Sequence, residues 1–159
     1  YPYTINPGGP NHEELVSLIG IYEYFDNLYQ HHFGNNENDT LKKISKINNL
    51  ISKHEEDISN PILEYIDKRN DLFLIGKNKI TKKNRAPTIS FISKKESSKS
   101  LSKKFVSNKI ATRNDNFYAW RCLDHLGIDR RDGVVRLSMT HYNTIEDVSK
   151  VLKVFENIS

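Results

Sequence analysis

The sequence predicts an α/β domain preceded by long helices, and three observations lead to that fold class. The 159 residues allow one ordinary domain with an additional arm, and 36% of them are apolar, enough for a real core. The first 68 residues show helical periodicity and come before any strand pattern. From residue 70 onward, strands alternate with helices, which favours a sheet formed at least in part from crossover units.

The N-terminal segment predicts a loop followed by an amphipathic helix. Residues 1–10 are rich in proline and glycine and so favour a loop. A helix should begin at Asn11, a good N-cap, with Glu14 in the capping-box position, and should end near Gly34. Its apolar stripe is expected to leave an exposed face on the chain taken alone and consists of Leu15, Leu18, Ile19, Tyr22, Phe25 and Tyr29.

A second helical stripe, capped by Asp39 or Thr40, should extend to about residue 68. Pro61 lies within it and is expected to kink or split the helix. The following elements are expected to be strands at 72–75, 87–92, 110–113 and 134–139, with helices at 97–108, 117–126 and from Thr144 onward. Asp147 completes a capping box with Thr144.

Composition excludes several classes of protein. No apolar run approaches the roughly 20 residues of a transmembrane helix. The single cysteine, Cys122, excludes an internal disulfide and a multi-cysteine zinc site, and it fits a reducing, cytoplasmic compartment. No two histidines have the i, i+4 spacing of a helical zinc site, so we expect no metal centre.

The net charge of +4 conceals an uneven distribution of basic residues. Residues 77–109 hold eleven basic residues and one acid, Glu96, so this stretch carries +10 and the rest of the chain −6. The stretch is either a solvated lysine surface or a site for nucleic acid or an acidic protein. Phe91 and Phe105 occupy positions typical of a core, which leaves no aromatic stacking platform and disfavours nucleic acid.

Three groups of residues are candidates for chemistry, and the first is the loop before the first helix. Gly8, Gly9 and Pro10 run into the helix start at Asn11. Glycine allows a ligand to approach the backbone closely, and free N–H groups at a helix start favour phosphate or carboxylate. The same pattern also fits a simple turn.

The second group is the strand from Val134 to Met139 and the polar residues after it. Arg136 is a single charge in an apolar strand, and its planar guanidinium suits a carboxylate. That carboxylate is either a ligand or an acid within the chain. His141, Tyr142 and Asn143 follow at the strand end, where α/β folds often bind ligands.

The third group, residues 113–119, forms a polar turn that enters a helix. Its ordinary interpretation is a helix cap supplied by Asp115 or Asn116. Cys122 lies within the following helix, where it is more typical of an inert thiol than of a nucleophile.

Together the three groups resemble the C-terminal part of class V aminotransferases, which are fold-type I pyridoxal phosphate enzymes, and in particular the cysteine desulfurase-like branch. The residues from Arg136 to Val148 fit the family pattern R-x-S-x-x-x-Y-N-T-x-x-E/D-V. Residues 8–11 resemble the G-T-P-N loop of the family, with Gly9 in place of threonine. Residues 116–119 fall where desulfurases carry H-H-C-A.

The resemblance implies a role for each matching residue. Arg136 would bind the α-carboxylate of an amino-acid substrate. Gly9 and Asn11 would reach the phosphate of pyridoxal phosphate, often that of the partner subunit in a homodimer. Tyr118 occupies the position of the sulfur-accepting cysteine, so persulfide chemistry is not expected there, and transamination, elimination or racemisation remain open.

The resemblance also implies that the large cofactor domain, with its Schiff-base lysine, lies upstream of this chain. Residues 1–10 would then be a cofactor-side loop, 11–69 linking helices, and 70–159 the small domain of an α/β sandwich. We expect such a fragment to be inactive alone. The alternative hypothesis is a free-standing basic domain that binds nucleic acid or an acidic protein through residues 77–109.

Overall fold

A computed structural model describes residues 8–81 and 84–158. The chain divides into two compact units, Tyr1–Leu50 and Ile51–Ser159. In chain order the elements are α1 (His12–Phe33), α2 (Thr40–Asp67), β1 (Leu72–Ile75), β2 (Thr88–Ser93), α3 (Ser98–Ser107), β3 (Arg113–Asp115), α4 (Trp120–His125), β4 (Val134–Ser138) and α5 (Ile145–Glu156). The α/β class is therefore confirmed. Of the predicted loop at 1–10, residues 1–7 lie outside the described residues.

In the first unit, α1 has the predicted bounds, and most of its apolar stripe is exposed. The Asn11 side chain accepts a hydrogen bond from the backbone N–H of Glu14 and caps the helix. Tyr29 is the buried member of the predicted stripe, and Phe25 is partly buried. The remaining members are about half exposed, in agreement with the expected exposed face: Leu15, Leu18, Ile19 and Tyr22. Periodicity identifies an amphipathic helix but not what covers its apolar face.

The expected break of α2 at Pro61 does not occur, and the helix is continuous from Thr40 to Asp67. Proline removes one intrahelical hydrogen bond and usually destabilises a helix interior. Around Pro61, four apolar side chains are almost completely buried in the core: Ile58, Ile62, Leu63 and Ile66. Their burial stabilises the helix on both sides of the proline, since fully burying such a side chain is worth roughly 1.5–3 kcal/mol.

The four strands form one sheet in the order β1-β2-β4-β3, and every neighbouring pair is antiparallel. The expected crossover units with parallel strands are therefore absent from the described residues. Alternation of strands with helices predicted the elements, but strand direction depends on where each connection returns to the sheet. The strand expected at 110–113 is instead β3 at 113–115, which begins three residues later and ends two residues later.

The two faces of the sheet pack against different elements. One face joins α2, α3 and α5 in the main core, where Phe91, Phe105 and Phe155 are in mutual ring contact. The opposite face, which we call the α4 face, packs Val134 against Leu123 and Ile128 in a smaller cluster. Because side chains alternate along a strand, each strand contributes to both faces.

Arg69 connects the residues before β1 with the C-terminal end of the chain through a salt bridge and two hydrogen bonds. Arg69 binds Asp71 through two nitrogen–oxygen contacts of 2.6 and 2.7 Å and donates to the carbonyls of Phe155 and Ile158. The hydrogen bonds from Arg69 hold the pKa of the Asp71 carboxyl well below its usual range. This pair therefore contributes to stability at neutral pH.

Most of the basic residues that the structure describes in the stretch 77–109 are solvent-exposed. Lys77, Lys79 and Lys103 are exposed, whereas Phe91 and Phe105 are fully buried, as their positions predicted. Lys104 forms an ion pair with Glu96, and this hydrogen bond lowers the pKa of the Glu96 carboxyl. Within the described part of the chain, no helix is long and apolar enough to cross a bilayer.

Candidate active-site face

Arg136 lies on the α4 face of the sheet, not in the main core. Its neighbours in β4, Val135 and Leu137, belong to the main core, and alternation directs Arg136 to the other face together with Val134. The arginine is only partly buried. A single charge in this apolar strand is therefore compatible with folding, since its face borders solvent.

The guanidinium of Arg136 stacks on the ring of Phe117. The guanidinium carbon lies 4.0 Å from the ring centroid, a close cation–π contact. The Nε atom of Arg136 is buried and has no hydrogen-bond partner in the described structure. Among residues 8–81 and 84–158, no carboxylate forms an ion pair with Arg136, so the alternative of an internal acid partner finds no support there.

The ring of Phe117 is presented by a turn with an unusual backbone. Phe117 and Tyr118 have φ values of 51° and 61°, in the left-handed region that non-glycine residues rarely occupy. The Asn116 side chain accepts a hydrogen bond of 3.0 Å from the Tyr118 N–H, and its amide donates to the carbonyl of Arg130. Asn116 therefore stabilises the strained turn from both sides.

This turn corrects two expectations about the helix that follows. The helix α4 begins at Trp120 rather than at Phe117, because two left-handed residues interrupt the right-handed path. Its N-cap is Ala119, which makes no side-chain capping bond. Asp115 and Asn116 do not cap it, and Asp115 instead accepts a bond from the Asn116 backbone N–H.

Gly133 brings the turn against the start of β4. Its φ of +70° favours glycine, and a Cβ at this position would lie 2.3 Å from the backbone carbon of Asp115. Any larger residue would push the two segments apart. Gly133 thus allows the end of β3 to approach β4 closely, which places Phe117 beside Arg136.

Tyr118 projects from the turn with its side chain fully exposed. It borders a shallow hollow with Trp120, Cys122 and Arg130. The guanidinium of Arg130 lies over the Trp120 ring, 5.3 Å from its centroid. Cys122 is exposed on α4 and is not at the Tyr118 position.

The polar residues after β4 serve the start of α5 and lie at a separate hollow. The Asn143 side chain accepts from the Thr140 N–H at 2.9 Å, and Thr144 and Asp147 form the predicted capping box. His54 of α2 contacts the carbonyl of Asn143 at 2.7 Å. Arg136 is not among the residues around this hollow, which has a volume of about 350 Å³. The structure therefore does not group His141, Tyr142 and Asn143 with Arg136.

The glycine loop lies in the first unit. No atom of the described residues lies within 4 Å of the position of a Cβ at Gly8 or Gly9, so these residues leave the glycine backbone open. Asn11 uses its side-chain oxygen as the cap of α1. The phosphate contact stays a prediction: a glycine backbone before a helix start suits an anion, whereas Glu13 and Glu14 in the first turn oppose one.

Sequence reasoning missed the contribution of Phe117 and the anchoring role of Asn116. A glycine directly before an apolar strand, as at Gly133, was a local signal of a close approach. The described residues contain no group of three or more potential metal ligands.

Comparison with known proteins identifies the family. Residues 38–151 match aminotransferase class V. The aminotransferase-like protein FGM3 of Gibberella zeae is 26% identical over 159 residues, and the chain spans 38% of that relative's length. The apo cysteine desulfurase of Thermococcus onnurineus has a TM-score of 0.62 at 23% identity, over 75% of this chain and 28% of its own. A cysteine desulfurase of Escherichia coli has a TM-score of 0.56 at 17% identity, over 67% of this chain and 24% of its own. Because the family match extends over more than half of the chain, this chain belongs to the class V aminotransferases.

Proposed function

We propose that this chain is the C-terminal part of a pyridoxal phosphate enzyme that acts on an amino acid, with Arg136 binding the substrate α-carboxylate. The observation that carries the proposal is the state of the Arg136 side chain. Its guanidinium is held against Phe117, its Nε is unsatisfied, and the described residues supply no acid partner. A partly buried cation held in place without a counter-ion is suited to an anionic ligand.

The role of this chain is to bind and orient the substrate. Pyridoxal phosphate, when bound in the full-length protein, supplies the electron sink for bonds at the α-carbon. Arg136 would fix the carboxylate and thereby the orientation of that carbon, and the backbone at Gly9 and the start of α1 at Asn11 would hold a cofactor phosphate. The chain spans 38% of the curated relative, so the activity belongs to a longer protein, which we propose to be a homodimer.

We further propose that the reaction is not the desulfuration of cysteine. A thiolate is the sulfur acceptor in such chemistry, and a phenol at Tyr118 cannot form a persulfide. Cys122 lies within α4, outside the strained turn that presents Tyr118. Transamination, elimination and racemisation all remain compatible with a carboxylate held by Arg136.

The test is amino-acid binding by the full-length protein with its cofactor. Each standard amino acid is titrated while the absorbance of the cofactor is followed, and the tightest is then tested with Arg136→Gln. We expect affinity to fall about 10- to 100-fold, the value of a charge-assisted hydrogen-bonded pair. The matched control is Arg131→Gln, which replaces an exposed arginine outside the strands of the sheet.

Two outcomes separate binding from misfolding. The cofactor absorbance of Arg136→Gln without amino acid should equal that of the unchanged protein, which shows an intact cofactor site. If Arg136→Gln then binds the amino acid as tightly as the control does, the assignment of Arg136 is wrong.

A further inference from the structure

A second arginine lies beside Arg136 on the same face of the sheet. In the strand register, Arg113 of β3 is directly opposite Arg136, and Ser90 of β2 is opposite Arg136 on its other side. Directly opposite residues of antiparallel strands point to the same face, with Cβ atoms about 4.5–5.5 Å apart. The two arginine side chains therefore leave the sheet side by side on the α4 face.

Among the described residues, no acid forms an ion pair with either of these two charges. Like charges directly opposite each other destabilise a sheet. Ser90 is neutral, and among the described residues neither arginine forms an ion pair with an acid. Asp115 is two residues from Arg113 on the same strand, but its carboxylate accepts the backbone N–H of Asn116 at 2.7 Å.

The two arginines differ in exposure and in contacts, which suggests different tasks. Arg136 is partly buried and is held by the Phe117 ring, as a residue that fixes one group in one orientation should be. Arg113 is exposed on the edge strand of the sheet, where its guanidinium is accessible to a second group of a ligand.

We propose that Arg113 binds a second acidic group of the substrate, so that the enzyme takes an amino acid whose side chain ends in a carboxylate. The inference rests on the proposed function, in which Arg136 binds the α-carboxylate. Two arginines at directly opposite strand positions, neither of them in an ion pair among the described residues, match two carboxylates joined by a short carbon chain. Binding of the second carboxylate also relieves the repulsion between Arg113 and Arg136.

The experiment compares succinate with butyrate as ligands of the full-length protein loaded with cofactor. The two molecules have the same chain length, and butyrate has a methyl group in place of the second carboxylate. Their dissociation constants are measured by titration calorimetry in the unchanged protein and in Arg113→Gln, Arg113→Lys, Arg136→Gln and the control Arg131→Gln. Calorimetry detects binding without any turnover.

The expected result is a preference that depends on Arg113 alone. Succinate should bind about fivefold more tightly than butyrate, the upper value for an exposed charged pair. The ratio should fall to about one in Arg113→Gln and remain partly in Arg113→Lys, which keeps the charge. Butyrate affinity should be unchanged by Arg113→Gln, and the preference should weaken as salt is added.

The failure of this inference is distinguishable from the failure of the proposed function. A succinate preference that survives in Arg113→Gln, or no preference in the unchanged protein, overturns the role of Arg113. Butyrate affinity that is unaffected by Arg136→Gln overturns the role of Arg136 instead. Because the succinate-to-butyrate ratio is measured within each variant, a general loss of folded protein does not imitate a change in preference. For Arg136→Gln, the cofactor absorbance without ligand reports whether the site is intact.

Discussion

The stacking of Arg136 on Phe117 predicts a measurable coupling between the two side chains. The guanidinium carbon lies 4.0 Å from the ring centroid, and both residues are partly buried. Cation–π pairs contribute roughly 0.5–1 kcal/mol at exposed sites and about 2 kcal/mol when desolvated. Intermediate burial therefore predicts a coupling energy of about 1 kcal/mol.

A single replacement does not isolate this energy, because Phe117 also packs against the cluster of Leu123, Ile128 and Val134. A double-mutant cycle of Phe117→Leu and Arg136→Met isolates the coupling energy between the two side chains. Leucine keeps an apolar side chain at position 117, and methionine keeps a long unbranched one at position 136. Urea unfolding of each variant is followed by tryptophan fluorescence. The chain has one tryptophan, and it lies at the start of α4, three residues after Phe117.

The double variant should be less destabilised than the sum of the two single variants by about 1 kcal/mol. The control cycle pairs Phe117→Leu with Arg131→Met, which replaces an exposed arginine, and should show no coupling. If the Arg136 cycle is additive within about 0.3 kcal/mol, the side chains do not stack in solution and the argument that Phe117 holds Arg136 fails.

Three further predictions concern stability and are measured by urea unfolding. Gly133→Ala should destabilise the chain by more than about 2 kcal/mol, because φ is +70° and the new Cβ would lie 2.3 Å from the backbone of Asp115; a smaller loss would contradict the close approach. Since the pKa of Asp71 is lowered by Arg69, the stability due to this pair is present above the unfolded pKa of about 3.9 and is lost as pH falls below it. Asp71→Asn should remove that part of the pH dependence, and an unaltered acid profile would exclude the pair as its source. Thr144→Ala should cost about 1 kcal/mol through the lost cap of α5, whereas Thr144→Ser should cost little.

Local chemistry made several elements predictable from the sequence. Asn11 caps α1, and Thr144 with Asp147 caps α5, because each motif depends on residues within one turn of each other. The strand around Arg136 was predictable from its continuous apolar character. Arg136 itself was a candidate because a charge in such a strand is uncommon.

Long-range relations were not predictable in the same way. The antiparallel order β1-β2-β4-β3 depends on which strands meet after the connections return, and no local pattern encodes it. Arg113 became informative only through the register, which places it opposite Arg136 despite a separation of 23 positions in the sequence. The continuity of α2 through Pro61 likewise depends on core packing on both sides.

The turn at Phe117 and Tyr118 carries backbone strain close to Arg136. Each non-glycine residue in a sparsely populated backbone region costs of order 1–3 kcal/mol, and glycine at either position would avoid that cost. Backbone strain persists where the surrounding contacts offset its cost or the side chain has a function. The Phe117 ring makes such contacts, since it stacks on Arg136 and packs in the smaller cluster.

The Tyr118 ring has no such use within the described structure, since its side chain is fully exposed although Asn116 holds its backbone in place. A rigid turn that presents an aromatic ring to solvent, next to an arginine without an acid partner, is costly for a simple connection between β3 and α4. Under the proposed function, such a turn would belong to the surface that meets the substrate. The strain at this turn therefore favours the same proposed location as the charge of Arg136 does, and it is a separate observation.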